Sequence, residues 1–151
     1  MGPNVVVWFR KALRLHDNAA LCAAVEDASR SGGTVIPVFC LDPHFVNSRK
    51  VGPLRWRFLL EAMDDLHRQL QKCNSGLFVL QGAASSELPQ ACKHFSAGTI
   101  CFEKDTESFA RTRDADVTRT VEGLGVKVRE CHGHTLYNMD HLLQRCAHKP
   151  P

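Results

Sequence analysis

The sequence predicts a doubly wound, Rossmann-like α/β domain: a five-stranded parallel sheet in the order 3-2-1-4-5 with helices on both faces. Three observations carry this reading. Five short apolar runs alternate with helix-length amphipathic segments along the whole chain. The runs are β-branched and nearly continuous, as parallel strands covered on both faces require. Each helical segment has its own start and stop residues. The 151 residues, 44% hydrophobic and 23% charged, form one domain over 1–151, large enough to bury a core.

The first strand is read over Val5–Phe9, and the first helix starts at Asp17 or Asn18 and stops before Gly32 and Gly33. The second strand is Val35–Cys40. The second helix carries Pro53 in its first turn and sets Trp56, Leu59, Leu60, Met63, Leu66 and Leu70 on one core-facing stripe. On that reading Trp56→Ala costs about 3–5 kcal/mol. The third strand is Leu77–Gln81, followed by a helix capped by Ser85 or Ser86 with Pro89 in its first turn. The fourth strand is Thr99–Glu103. Its helix opens at Thr106, buries Phe109, Val117, Val121 and Leu124, and stops at Gly123–Gly125. The fifth strand is Val126–Glu130, and a last short helix runs from Asn138 or Met139 to Cys146.

A net charge of +3 neither demands nor excludes nucleic acid. No apolar run has the length of a membrane span, and the N-terminus lacks the basic and apolar regions of a signal peptide. Seven cysteines without Cys-x-x-Cys spacing fit reduced, mostly buried thiols of a cytosolic or nuclear protein. "CHGH", Cys131 to His134, reads as a strand end and polar loop rather than a zinc site, because no second ligand group has zinc-like spacing.

Ligands of such sheets bind where the winding direction reverses, outside the carboxyl ends of the strands. The loop after the first strand carries Arg10, Lys11 and Arg14; that after the fourth carries Glu103, Lys104, Asp105 and Glu107. These opposite charges either tie the loops together or line a ligand cleft. No G-x-G-x-x-G follows the first strand, and there is no phosphate-binding G-x-x-x-x-G-K-[ST] and no G-x-S-x-G nucleophile elbow. The residues describe a ligand- or partner-binding module more readily than a self-sufficient enzyme.

"WFRKALRLHDNAAL", "PVFCLDPHF", "VGPLRWRFLLEAMDDLHRQL", "SGLFVLQG", "CFEKDTESFARTRDADV" and "GHTLYNMDHLL" closely resemble, in order and spacing, the N-terminal α/β domain of the photolyase/cryptochrome family. The resemblance covers essentially the whole chain and is strongest to the animal cryptochrome and (6-4) photolyase branch. Ala19 stands where the family commonly has Pro, and His44 where it frequently has Trp. The resemblance implies a larger helical domain, absent here, that holds FAD, and a role in blue-light signalling, circadian regulation or light-driven DNA repair in nucleus and cytoplasm. On this expectation the fragment alone is not catalytic and binds no cofactor tightly, while a full-length relative is a light-dependent DNA photolyase or a photoreceptor. A stand-alone module competing for partners of the full-length protein is the alternative. In some relatives this domain holds an antenna chromophore, a deazaflavin, folate or flavin; the matching positions are Phe9, Arg10, Phe39, Asp42, Phe102, Glu103 and Asp105. Arg10 then pairs with an anionic ligand group, or with Asp42 or Glu103. In animal cryptochromes the matching groove also receives a clock transcription factor, which points to Ser48, Phe109, Arg111 and Arg113. DNA is expected to bind weakly, if at all, through this domain, and no membrane partner is implied.

Overall fold

A computed structural model describes residues 2–46, 51–133 and 135–146. The five strands are β1 (Asn4–Phe9), β2 (Val35–Leu41), β3 (Phe78–Gln81), β4 (Ala97–Glu103) and β5 (Lys127–Cys131). They form one parallel sheet in the order β3-β2-β1-β4-β5, as the sequence predicts. The helices are α1 (Ala19–Ser31), α2 (Pro43–Val46), α3 (Pro53–Gln71), α4 (Ala84–His94), α5 (Ser108–Glu122) and α6 (Met139–Arg145). The single turn α2 was not anticipated. No helix among the described residues is long and apolar enough to cross a membrane.

Alternate side chains of β1 divide the core. Val6 and Trp8 face α4 and α5, packing with Leu88, Cys92, Val117 and Val121. Val5, Val7 and Phe9 face α1 and α3, packing with Ala20, Ala24, Met63, Leu66 and Leu70. The run of alanines on α1 lets that helix lie close against the strands. Asn18 caps it by accepting from the Leu21 amide at 2.9 Å. At the other end Gly32 takes φ 69°, a left-handed cap that a side chain would strain.

Several expectations are corrected. The outer strands are not covered on both faces. β3 and β5 are the edge strands, each paired with one neighbour, and the adjacent Phe78 and Val79 of β3, which point to opposite faces, are both exposed. β3 starts one residue late, at Phe78, and β5 is shifted by one residue. Neither Ser85 nor Ser86 caps α4; the cap position is Ala83, and Pro89 lies in the second turn. Asp42 at the end of β2 does the capping from a distance: it accepts from the Ala84 amide at 3.3 Å and from the His44 amide at 2.9 Å. α5 begins at Ser108 rather than Thr106, because the Asp105 carboxylate accepts from the Glu107 amide at 3.2 Å. Phe109 and Leu124 are exposed rather than buried.

The α3 stripe is only half core. Met63, Leu66 and Leu70 are buried, but Leu60 is exposed and Trp56 only half-buried, against Phe45 at 5.0 Å. The N-terminal half of α3 instead helps wall a cleft. Trp56→Ala is therefore expected to cost well under the 3–5 kcal/mol of a core aromatic, about 1–2 kcal/mol, whereas Leu66→Ala costs about 2–5 kcal/mol. Urea unfolding of the two variants measures the difference; equal losses would return Trp56 to the core.

Candidate functional site

The cleft lies outside the carboxyl ends of β1 and β2, between the start of α3 and the start of α5. Its volume is about 630 Å³, within the range of about 300–1,000 Å³ usual for small-molecule sites. Trp8, Phe9 and Phe39 form its floor; Phe58 and Leu59 of α3 stand on one side, Phe109 and Ala110 of α5 on the other. His44 of α2 stacks on Phe109 with ring centroids 3.7 Å apart. This size and these aromatic walls fit a planar heteroaromatic group.

The opening charges of the β1 loop serve as ties. Arg10 turns to an acid that the sequence reading did not name. Its guanidinium donates to both carboxylate oxygens of Asp114, a buried residue of α5, at 2.6 Å. Asp114 also accepts from Arg113 at 3.0 and 3.1 Å. Asp42 is committed to two helix-terminal amides, and Glu103 borders a small hollow with Arg10, Asn18 and Ala20 by the start of α1. Lys11 reaches Asp105 at 3.0 Å and Glu107 at 2.9 Å. Asn18 donates to the carbonyls of Ala12 and Arg14, holding the loop to α1.

Of the seven positions matched to an antenna site, Phe9, Arg10, Phe39, Asp42 and Asp105 line the cleft. Phe102 is fully buried, edge-on to Trp8 at 5.4 Å, and does not line it. Glu103 does not line it either. Of the four partner positions, Phe109 and Arg113 line the cleft, Arg111 is exposed and does not, and Ser48 lies outside the described residues. The sequence reading placed Lys11 in a cleft-lining or tying loop but missed Trp8, Phe58 and Asp114. Trp8 looked like an ordinary strand residue, and Asp114 one of many charges on a helix.

Cys40 lines the cleft, but burial pushes its thiol up to about 12, so it offers no thiolate nucleophile at neutral pH. Burial likewise raises Cys101 to about 12 and Cys92 to about 11. Among the described residues, no group of three or more His, Cys, Asp or Glu side chains is arranged to hold a metal. Of the "CHGH" loop, Cys131 ends β5 and His132 lies 3.3 Å from Asp140, while His134 lies outside the described residues. Asp140 also takes Lys104 at 2.8 Å, which fastens α6 to the loop after β4.

The family model described as DNA photolyase matches residues 5–151. Cryptochrome-1 of Gallus gallus is 42% identical over 151 residues, all of this chain and 24% of the relative. Cryptochrome-2 of the same species is 41% identical over 146 residues, 97% of this chain and 24% of the relative. The Synechocystis sp. PCC6803 cryptochrome structure aligns with a TM-score of 0.83 at 30% identity, covering 93% of this chain and 29% of that one. The archaeal photolyase from Sulfolobus tokodaii, whose structure is described as holding two FAD molecules and implying a novel light-harvesting cofactor, aligns with a TM-score of 0.80 at 25% identity. It covers 91% of this chain and 31% of its own. The chain spans about a quarter of the length of the curated relatives it matches.

The Lys11–Asp105 tie sets a pH dependence. Burial opposes both charges, yet the mutual hydrogen bonds win, holding Asp105 below the usual carboxylate range and Lys11 above its usual value. A depressed carboxylate contributes stability that is present above its unfolded value of 3.8 and lost as pH falls through its lower folded value. A raised ammonium contributes stability that is present below 10.5 and lost as pH rises through its higher folded value. Lys11→Met should therefore weaken the wild type most across the neutral plateau and flatten both outer limbs in urea melts taken from pH 3 to 11. Parallel curves for the two proteins would show that the tie is idle.

Proposed function

The chain belongs to the DNA photolyase family as its N-terminal photolyase-homology region, and from that premise we propose that it is the non-catalytic, light-harvesting domain of a cryptochrome or (6-4) photolyase. The observation that carries this reading is the aromatic-walled cleft of about 630 Å³ at the carboxyl ends of β1 and β2. The cleft takes a planar antenna chromophore, a deazaflavin, folate or flavin. That group, when bound, absorbs light and passes excitation energy to FAD held by a helical domain outside these residues. Phe9 and Phe39 support its ring system, His44 and Phe109 flank it, and Lys11, Asp42 and Asp105 fix its polar edge. The light-harvesting cofactor named for the Sulfolobus tokodaii photolyase, a relative of the same fold, supports the reading.

The role of the whole protein follows from the second domain. In this reading the photochemistry of blue-light signalling or DNA repair belongs to FAD in the second domain, and this domain alone neither repairs DNA nor photoreduces flavin. Contact with DNA through this domain is weak, if it occurs at all, in this reading. A role on DNA or with transcription factors would put the protein in nucleus and cytoplasm.

A second reading has its own observation. Leu54, Phe58 and Phe109 stand exposed, the last two on the rim of the same cleft, a surface suited to a segment of a clock transcription factor or to the FAD-binding domain. Arg111 and Arg113 would be its polar contacts.

Titration of this chain with flavin mononucleotide, a reduced folate and a deazaflavin, followed by fluorescence polarisation, decides between the two. Ala62→Trp, which fills the cleft from α3, should weaken chromophore binding about tenfold or more. If none of the three chromophores binds, the antenna reading fails. Loss of partner binding in Phe58→Asp then favours the second.

A further inference from the structure

Trp8 is held in an unusual electrostatic setting. Trp8 is among the residues lining the cleft, and its side chain is 3% exposed, packed in the core layer under α4 and α5. The guanidinium carbon of Arg10 sits 4.7 Å from the ring centroid, and that of Arg113 sits 4.8 Å from it. The same two cations reach further rings: Arg10 lies 5.2 Å from Phe102, and Arg113 lies 5.7 Å from Phe109. Aromatic rings and cations thus alternate from the core to the mouth of the cleft. Asp114 holds both guanidinium groups in place, one negative charge against two positive.

We propose that this pair of arginines makes Trp8 a poor electron donor, so that the floor of the cleft is inert toward a photo-excited heteroaromatic molecule resting on it. Indole is among the most easily oxidised side chains. An excited flavin-, pterin- or deazaflavin-type acceptor beside it can take one electron from it. The acceptor then becomes a radical anion, the indole a radical cation, and the excitation is lost as heat. Two cations at about 5 Å favour the neutral, electron-rich ring and repel the radical cation. In a site shielded from water that repulsion is only weakly screened. The occupant's identity rests on the proposed antenna role; the resistance of Trp8 to oxidation belongs to the chain itself and is tested without any occupant.

The test uses Trp56, over which no cation lies among the described residues, as an internal reference. The 151-residue chain is irradiated at the red edge of indole absorption in aerated buffer, where dissolved oxygen takes up the electron that an excited indole gives up. Oxidised Trp8 and Trp56 peptides are then quantified by mass spectrometry, and the indolyl radical is followed by transient absorption. Arg113→Met removes one cation while Arg10 still holds Asp114; Arg113→Lys restores the charge on a side chain of similar length. The expected result is a Trp8-to-Trp56 oxidation ratio about tenfold higher in Arg113→Met than in the wild type, with Arg113→Lys within about twofold of the wild type. Arg10→Met, with Arg113 intact, provides a second route to the same rise. A ratio unchanged in both methionine variants overturns the proposal, and so does a rise in Arg113→Lys equal to that in Arg113→Met, which would trace the effect to access rather than charge. Flavin mononucleotide titrated into the wild type reports on the antenna role separately: failure to bind removes that role and leaves the Trp8 comparison standing.

Discussion

A single buried carboxylate organises the functional end of this domain. Asp114 lies on α5, is 5% exposed, and receives Arg10 from the end of the central strand and Arg113 from its own helix. A charge removed from water to this degree is tolerable only with close partners. Satisfying it fixes the direction in which the chain leaves β1. With Arg10 drawn toward α5, Lys11 is delivered to Asp105 and Glu107 of the neighbouring loop, and the cleft acquires its side wall. Removing either arginine leaves the carboxylate with one of these two partners; removing the carboxylate leaves two guanidinium groups close together beside an indole with no anion between them.

The division of β1 into two faces explains why one cleft can draw on helices from both sides of the sheet. Trp8 and Phe9, adjacent in sequence, point to opposite layers, yet both reach the cleft because it sits where the strand ends. α3 illustrates the same economy along its length. Its C-terminal half buries Met63, Leu66 and Leu70 against the strands, and its N-terminal half extends past them to present Phe58 and Leu59 to the cleft.

The fold was legible because its determinants are local. Strand runs, the Asn18 cap and the Gly32 stop each act within a few residues, and the topology follows from their alternation. What was illegible depended on distance along the chain. The Arg10–Asp114 pair spans 104 residues, so sequence reasoning assigned Arg10 to nearer acids in loops that are otherwise engaged. The cap of α4 comes from Asp42, 42 residues away, and so two adjacent serines were credited instead. The stripe on α3 is real as a pattern, but periodicity records which residues share a face, not whether another element covers that face. The matched positions of the candidate site divide for a similar reason. Phe102 lies fully buried against Trp8, in the same core layer, and Glu103 borders a small separate hollow by the start of α1, so neither reaches the cleft although both stand at the right end of β4.

The charges at the cleft have a consequence for how a molecule arrives there. Among the described residues, Arg10, Lys11, Arg55 and Arg113 at its lining are matched by Asp42, Asp105 and Glu107 together with Asp114 behind them. Opposite signs are interleaved at close range, so their fields cancel within a few ångströms of the surface. There is little long-range potential to draw in an anion or a cation, and added salt has little to screen. Capture therefore depends on shape and on aromatic surface once contact is made, and its rate should track viscosity and collision frequency rather than ionic strength.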